Sequence, residues 1–353
     1  MLSRVNKLEA ALAQTDCDAV LVTNLKNIYY LTSFSGTEAT VFISKNRRIF
    51  LTDSRYTLIA KGVIKGFDII ETRDALSEIA KIIADDKIKT IGFDDEISYH
   101  SFKTLEELFS DYKLTAMTAF IEKLRMIKDE GEIATIRKAC QISDQAFLDV
   151  LDFIKPGQTT ELQVMNFLDA RMRQLGASGA SFDFIIASGY RSAMPHGVAS
   201  EKVIQTGETL TMDFGCYYNH YVSDMTRTIH VGHVTDEERE IYDIVLRSNQ
   251  TLIEAAKAGM TRIEFDQVPR KVINDAGYGQ YFTHGIGHGI GLDIHEIPYF
   301  GKSSEPIEAG MVLTDEPGIY LDGKYGVRIE DDILITDTGC ELLTLAPKEL
   351  IVI

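Results

Sequence analysis

TMDFGCYYNHYVSDMTRTIHV, residues 211–231, decides the architecture of the larger, C-terminal part of this chain. Two β-prone runs flank a polar turn around Tyr218-Asn219, so the stretch reads as a β-hairpin. With Tyr218-Asn219 as a two-residue loop, Asp213 and Asp224 fall directly opposite each other on one face, their Cβ atoms about 5 Å apart. Like charges so placed destabilise a hairpin. Either a cation sits between the two carboxylates, or one or both point to solvent.

Downstream lies FTHGIGHGIGLDIHEIP, residues 282–298. Gly285, Gly287, Gly289 and Gly291 alternate with larger residues. A helix would lose around 1 kcal/mol at each glycine relative to alanine. An extended strand makes better sense: His284 and His288 share one face, and the glycine face lets another backbone or a ligand approach closely. His295-Glu296 follows beyond a change of direction. Phosphate binding fails on spacing, because Ile290 or Leu292 stands where G-x-G-x-x-G needs its last glycine. GKSS at 301–304 likewise lacks the first Walker glycine, its place being taken by Glu296.

Two further stretches complete the set, MVLTDEPGIY (311–320) and GVRIEDDILIT (326–336). Glu316 precedes Pro317-Gly318, where a strand ends in a fixed turn. In the second stretch, period two places Arg328, Glu330 and Asp332 on one face and Val327, Ile329 and Ile333 on the other. Alone, such a charged face is more often solvent-facing than part of a site. Together the four stretches change that balance. Asp213, Asp224, His288, Glu316 and Glu330 form an oxygen-rich ligand set with one imidazole and no thiolate. It suits a pair of hard or intermediate divalent ions, manganese or cobalt rather than a structural zinc. Four carboxylates balance the charge of two such ions.

Upstream, residues 1 to about 120 alternate short β-rich runs with helical stretches. DAVLVT (18–23), NIYYLT (27–32), TVFIS (40–44), RRIFLT (47–52), FDIIET (67–72) and TIGFDD (90–95) read as strands. Residues near 54–63, 74–85 and 101–109 have helical spacing, which makes this part an α/β domain. It holds no cluster with metal-ligand spacing, and Asp53-Ser54 reads as a helix cap with a surface turn. Residues 121–154 then predict one long helix striped by Ile133, Ile136, Ala139 and Ile142, stopped by Pro156-Gly157. A second, Thr-capped helix follows in TTELQVMNFLDARMRQLGA. The domain boundary is expected near 120–128.

Composition narrows the function classes. The 353 residues carry 36 Lys and Arg against 53 Asp and Glu, a formal charge of −17. That field repels phosphate backbones and anionic lipid, so neither nucleic acid nor a membrane surface is an expected partner. No apolar run approaches the roughly 20 residues of a membrane span. The N-terminal stretch MLSRVNKLEAALAQT has helical spacing rather than the unbroken apolar core of a signal peptide. Cys17, Cys140, Cys216 and Cys340 form no CxxC and are expected as reduced thiols in a cytoplasmic protein.

At this point the motifs identify a resemblance. PHG (195–197), MDFG with SDMTRT, HGIGHGIGLDIHE, EPGIY and VRIED resemble the aminopeptidase P and prolidase branch of the pita-bread metallopeptidases. The likeness runs nearly the whole length, since NIYYLTSFSG and TDSRY resemble that branch's creatinase-type N-domain and LRMIKDEGEIATIRKA its inter-domain helix. It implies an α/β creatinase-type domain over residues 1–122 and an α+β pita-bread catalytic domain over 123–353. It implies Asp213, Asp224, His288, Glu316 and Glu330 as ligands of two divalent metal ions per subunit, Mn2+ first and Co2+ or Zn2+ as substitutes. His196, His295 and Glu316 carry over as catalytic residues, and His284 and Arg328 as substrate-binding ones. Arg328 holds either neighbouring carboxylates or the substrate's carboxyl end. Asp315 departs from the neutral or apolar residue the family more often has.

The implied activity is hydrolysis of the N-terminal Xaa-Pro bond of a peptide by a hydroxide bridging the two metals, an Xaa-Pro aminopeptidase. The closest alternative is an Xaa-Pro dipeptidase (prolidase) with the same site; a non-catalytic pita-bread binding protein is a remote one. A methionine aminopeptidase would share the metal set, but its bacterial form usually lacks the N-domain. The partners implied are peptides with proline second and further copies of the chain, as a homodimer or higher homo-oligomer. The residues of the proline pocket are not legible in the sequence.

Overall fold

The computed structural model describes residues 2–84 and 86–353. It divides into two compact units, Met1–Arg125 and Met126–Ile353.

The first unit begins with α1 (Leu2–Leu12), β1 (Ala19–Val22), α2 (Leu25–Thr32), β2 (Thr40–Ser44), β3 (Arg48–Thr52) and α3 (Thr57–Val63). It continues through β4 (Asp68–Glu71), α4 (Ala75–Ile83), β5 (Thr90–Phe93), α5 (Tyr99–Leu108), β6 (Lys113–Ala116) and α6 (Glu122–Arg125). The strands form one six-stranded sheet in the order β4-β3-β2-β1-β5-β6, with the parallel pairs at its two ends. This is the expected α/β domain, with one reversal. NIYYLT was expected to be a strand and is α2. The Asn24 side chain accepts from the backbone N–H groups of Lys26 and Asn27, and Ile28 and Leu31, three apart, bury the same face. Asp53 is not a helix cap either. Tyr56 stands at the N-cap of α3, and Asp53 instead accepts from the Arg55 guanidinium at 2.6 Å.

The second unit opens with α7 (Glu130–Phe153) and α8 (Glu161–Gln174). The long helix expected from residue 121 is therefore broken at 126–129. Asp129 starts α7 with a capping box, accepting from the Gly131 and Glu132 backbones while Glu132 reaches back to Asp129. The expected stripe is buried, Ile133 through Ile142, and α8 begins at its Thr160 cap. Next come β7 (Gly179–Ala180), β8 (Ile185–Ser188), β9 (Thr209–Phe214), β10 (Cys216–Tyr218), β11 (Tyr221–Val222) and β12 (Met225–His230). α9 (Asp236–Ala255) and α10 (Arg262–Asp275) precede β13 (His288–Gly289), β14 (Glu296–Tyr299), β15 (Val312–Asp315), β16 (Gly318–Leu321), β17 (Tyr325–Arg328), β18 (Asp331–Ile335) and β19 (Cys340–Leu342). Helices α7 and α8 share one apolar core with β8, β9 and β12; α9 and α10 share another with β15 to β18. Two helix-backed antiparallel halves thus make the α+β unit that the pita-bread expectation requires.

Three local readings need correction. In the hairpin, Tyr218 pairs with Tyr221, so the loop is Asn219-His220 rather than Tyr218-Asn219. Both loop residues take positive φ, 44° and 71°, as a type I′ turn demands, and Asn tolerates that region better than the bulkier Tyr. Asp213 consequently faces Thr226 across the ladder, not Asp224. Of the alternating glycines and their neighbours at 284–292, only His288-Gly289 joins a ladder, pairing with β14 from the same stretch through a register shift. GVRIEDDILIT is two strands, β17 against β16 and β18 against β15 and β19, with Ile329-Glu330 at the crossing between the two sheets.

Candidate metal centre and active site

A cavity of about 470 Å³ opens within the second unit, and all nine residues assigned from the sequence line it: His196, Asp213, Asp224, His284, His288, His295, Glu316, Arg328 and Glu330. Asp213 and Asp224 arrive from the hairpin. A register slip of two residues leaves both on the same face as diagonal neighbours, because side chains repeat every second residue along a strand. The carboxylates of Asp213, Asp224 and Glu330 offer oxygens within 4.8 Å of one another.

His288 and Glu316 complete a second, overlapping group. His288 Nε2 lies 3.7 Å from Asp224 Oδ2 and 3.6 Å from Glu316 Oε1, beyond hydrogen-bond length. Its Nδ1 faces the Gly289 carbonyl at 3.2 Å, which assigns the proton to Nδ1 and leaves the Nε2 lone pair towards two carboxylates. Asp213 Oδ1 is buried with no hydrogen-bond partner. A lone pair, an orphaned carboxylate oxygen and four converging carboxylates repel one another in the absence of a cation. The donor set therefore fits divalent ions. Asp224 belongs to both groups, which suits two ions rather than one.

Close backbone approach holds these donors. A Cβ on Gly287 would lie 2.3 Å from the Thr314 carbonyl oxygen, and one on Gly289 2.6 Å from that of Ile297. The Thr314 hydroxyl accepts from the His288 backbone at 3.0 Å and reaches Glu316 Oε1 at 3.3 Å, tying both donors to β15. Glu296 accepts from the Leu292 and Asp293 backbones and pairs with Lys128 at 3.3 Å. It thereby stiffens the bend that carries His295.

Arg328 is buried, and each of its three nitrogens donates to the protein. Nη2 reaches Asp213 Oδ2 at 2.6 Å, Nε the Thr226 hydroxyl at 3.0 Å, and Nη1 both Tyr320 Oη at 2.8 Å and the Pro195 carbonyl at 3.2 Å. Thr226 in turn donates to Glu330 Oε2. Tyr320 Oη also meets His284 Nε2 at 2.8 Å, and His284 Nδ1 meets the Gly285 carbonyl at 2.8 Å. These bonds form one directed chain, from Arg328 through Tyr320 to a neutral His284.

Burial governs the electrostatics. It pushes Glu316 up to about 8, with Arg328 opposing and Asp213 adding to the rise. It raises Asp224 and Glu330 well above the carboxylate range, reinforced by Glu330 and Asp213 for the former and by Glu316 and Asp213 for the latter. Asp213 is also raised by burial, against the pull of Arg328. Burial lowers His284 and His288 to about 4, Arg328 and His295 respectively adding to the effect. His295 is exposed, stacks edge-on to His288 at 4.3 Å and is shifted down more mildly, again by burial first. His196 is exposed at the same cavity.

Several residues here escaped the sequence reading. Tyr320 and Thr226 looked like ordinary strand formers, and nothing in their spacing marks the hydrogen bonds they make. The cavity's apolar wall, Phe182, Ile185, Val198, Ile294 and Tyr299, comes from loops and strand ends far apart in the chain. Asp315 now has a setting. It lies opposite Asp331 in the β15–β18 ladder, fully buried, and accepts from Asn249 Nδ2 at 3.1 Å. Asn249 also donates to Asp331, which further accepts from Lys348 and Arg227. His100, His220, His230 and His233 are not among the residues lining the cavity.

Known proteins resemble the chain in both of its units. A model of metallopeptidase family M24 matches residues 134–337, and one of the creatinase/prolidase N-terminal domain matches residues 4–127. An Xaa-Pro dipeptidase of Pyrococcus furiosus is 38% identical over 99% of this chain and 100% of its own length. The solved structure of an Xaa-Pro dipeptidase from Bacillus anthracis superposes with a TM-score of 0.97 at 44% identity, covering 100% of this chain and 99% of that one. An X-Pro aminopeptidase from Thermotoga maritima superposes with a TM-score of 0.91 at 39% identity, covering 98% and 100%.

Proposed function

The chain belongs to metallopeptidase family M24, and from that premise we propose that it hydrolyses the N-terminal Xaa-Pro bond of peptides, as an Xaa-Pro aminopeptidase. The observation that carries the reading is the pair of overlapping donor groups sharing Asp224 at the floor of the cavity. Asp213, Asp224, His288, Glu316 and Glu330 would hold two divalent ions, manganese first by their oxygen-rich chemistry, with cobalt or zinc able to substitute. Such ions supply Lewis acidity, which makes water nucleophilic near neutral pH and polarises a carbonyl.

The protein's own groups do the rest. Glu316 has one oxygen towards His288 and the other 3.9 Å from His284, and serves as the proton carrier. The exposed imidazoles of His196 and His295 reach the substrate from the cavity wall. They stabilise the oxyanion and deliver a proton to the departing proline nitrogen. His284, held neutral by burial and fixed through Tyr320, shapes the pocket. The apolar wall receives the pyrrolidine ring, a group with no N–H for an ordinary backbone clamp to grip.

Arg328 separates the two finer readings. Among the described lining residues it is the one guanidinium or ammonium, and each of its nitrogens is already engaged. It positions Asp213, Thr226 and Tyr320 rather than clipping a dipeptide's carboxylate. This favours longer peptides over dipeptides. The dipeptidase reading is kept because relatives bearing that name align end to end with this chain. Manganese-reconstituted protein offered Leu-Pro and Arg-Pro-Pro in parallel decides between them. Preferred cleavage of Arg-Pro-Pro at its first bond supports the aminopeptidase, and cleavage of Leu-Pro alone overturns it.

The four cysteines are unpaired, which supports a reducing compartment, the cytoplasm. No helix among the described residues is long and apolar enough to cross a membrane. Exposed Leu58 and Ile59 on α3 suit contact with a second copy, in a homodimer or larger homo-oligomer.

A further inference from the structure

We infer that Glu161, outside the cavity, is a positioning residue that clasps the loop carrying His196; the role given to His196 rests on the proposed function. Glu161 is the first residue of α8 and fully buried. A carboxylate so placed needs its charge compensated. Five donors do this. Oε1 accepts from the Ser188 backbone at 2.8 Å and the Ser188 hydroxyl at 2.9 Å. Oε2 accepts from Arg191 Nε at 3.0 Å, the Ser200 backbone at 3.1 Å and the Ser200 hydroxyl at 2.6 Å.

These donors sit at both ends of one segment, residues 188–200, and at a cation inside it. Arg191 adds a bond from Nη2 to the Val198 carbonyl at 2.6 Å, so the segment is also tied across its own waist. At its tip stand Pro195 and His196, which line the cavity, flanked by exposed Met194 and Val198. His196 is exposed, so its place depends on how the backbone of this segment is held. Two further ties run from this segment to β17: Pro195 accepts from Arg328, and the buried Ser192 hydroxyl accepts from the Gly326 backbone at 2.8 Å. Glu161 is the point where the two ends are held together. Charge-assisted bonds from one rigid helix end fix them more firmly than neutral ones would.

Glu161→Gln keeps the shape but replaces an acceptor oxygen with an amide that faces donors. The expected result is faster amide hydrogen exchange across 188–200 with β9 and β15 unchanged, bound metal retained, and kcat on an Xaa-Pro tripeptide reduced roughly 10–100-fold, the range seen when supporting residues of a site are lost. A double-mutant cycle separates positioning from general destabilisation. If Glu161 acts through His196, then Glu161→Gln added to His196→Ala costs nothing further. Unchanged exchange in 188–200, or losses that multiply in the cycle, overturns the inference. Should Glu161→Gln fail to fold, Arg191→Ala loosens the same clasp and is expected to show the same coupling in smaller measure. Should the wild type cleave no Xaa-Pro peptide, the functional reading falls, and the exchange comparison still decides whether the clasp exists.

Discussion

Arg328 donates in three directions at once, to Asp213, Thr226 and Tyr320, and a lysine cannot reproduce that fork. Arg328→Lys is expected to lower activity roughly 10–100-fold while leaving the tripeptide-to-dipeptide ratio unchanged. Selective loss of dipeptide cleavage would instead make it a carboxylate clip. Asp224 belongs to both donor groups and Asp213 to one. Metal analysis should therefore find Asp224→Asn depleted of both ions and Asp213→Asn depleted unequally; equal depletion would contradict the shared-ligand arrangement. Glu316 gives a sign that can be checked. Its folded pKa of about 8 exceeds the usual carboxylate value, so without metal the folded state binds the extra proton. Its contribution to stability is present at low pH and is lost as pH rises towards 8. Thermal melts of metal-free protein between pH 5 and 8 should fall less steeply in Glu316→Gln than in the wild type, and parallel curves would rule this out. Added divalent ion should release protons on binding near pH 7.

Elements show why the sequence was informative about the site and less so about its framework. The hairpin loop was misplaced by one residue, which shifts cross-strand pairing by two and leaves every side chain on its expected face. The candidate ligands therefore still converge despite an incorrect register. NIYYLT failed for a different reason: its β-prone composition is overridden by the Asn24 cap and by helical burial of Ile28 and Leu31. The break before α7 depends on a capping box at Asp129 that helical periodicity alone does not show. In the glycine-rich stretch, the expectation of close backbone approach holds where the strand assignment largely does not. Gly287, at φ 157°, sits against the Thr314 carbonyl. Gly287→Ala is expected to destabilise the protein by about 1–3 kcal/mol through overpacking, read as a lower melting temperature. It should also weaken metal binding, because His288 is the next residue. A neutral effect on both would mean the contact is easily relieved.

Over the whole molecule, charge, fold class and site were legible because each is written in patterns that survive folding. An acidic composition, a change from short α/β alternation to long helices, and charged residues interrupting apolar strands are all of this kind. The apolar wall and the clasp on the His196 loop were not, since both assemble residues distant in sequence into contacts that no local period records. The proposed activity needs two metal ions at one centre to cut the first bond of an Xaa-Pro peptide. The most direct test titrates manganese into metal-free protein while following cleavage of Arg-Pro-Pro and counting bound ions per chain. Release of the N-terminal arginine is expected, rising to a plateau as the second ion binds and abolished by a chelator. Turnover in the metal-free protein, or a plateau with no second ion bound, would contradict it.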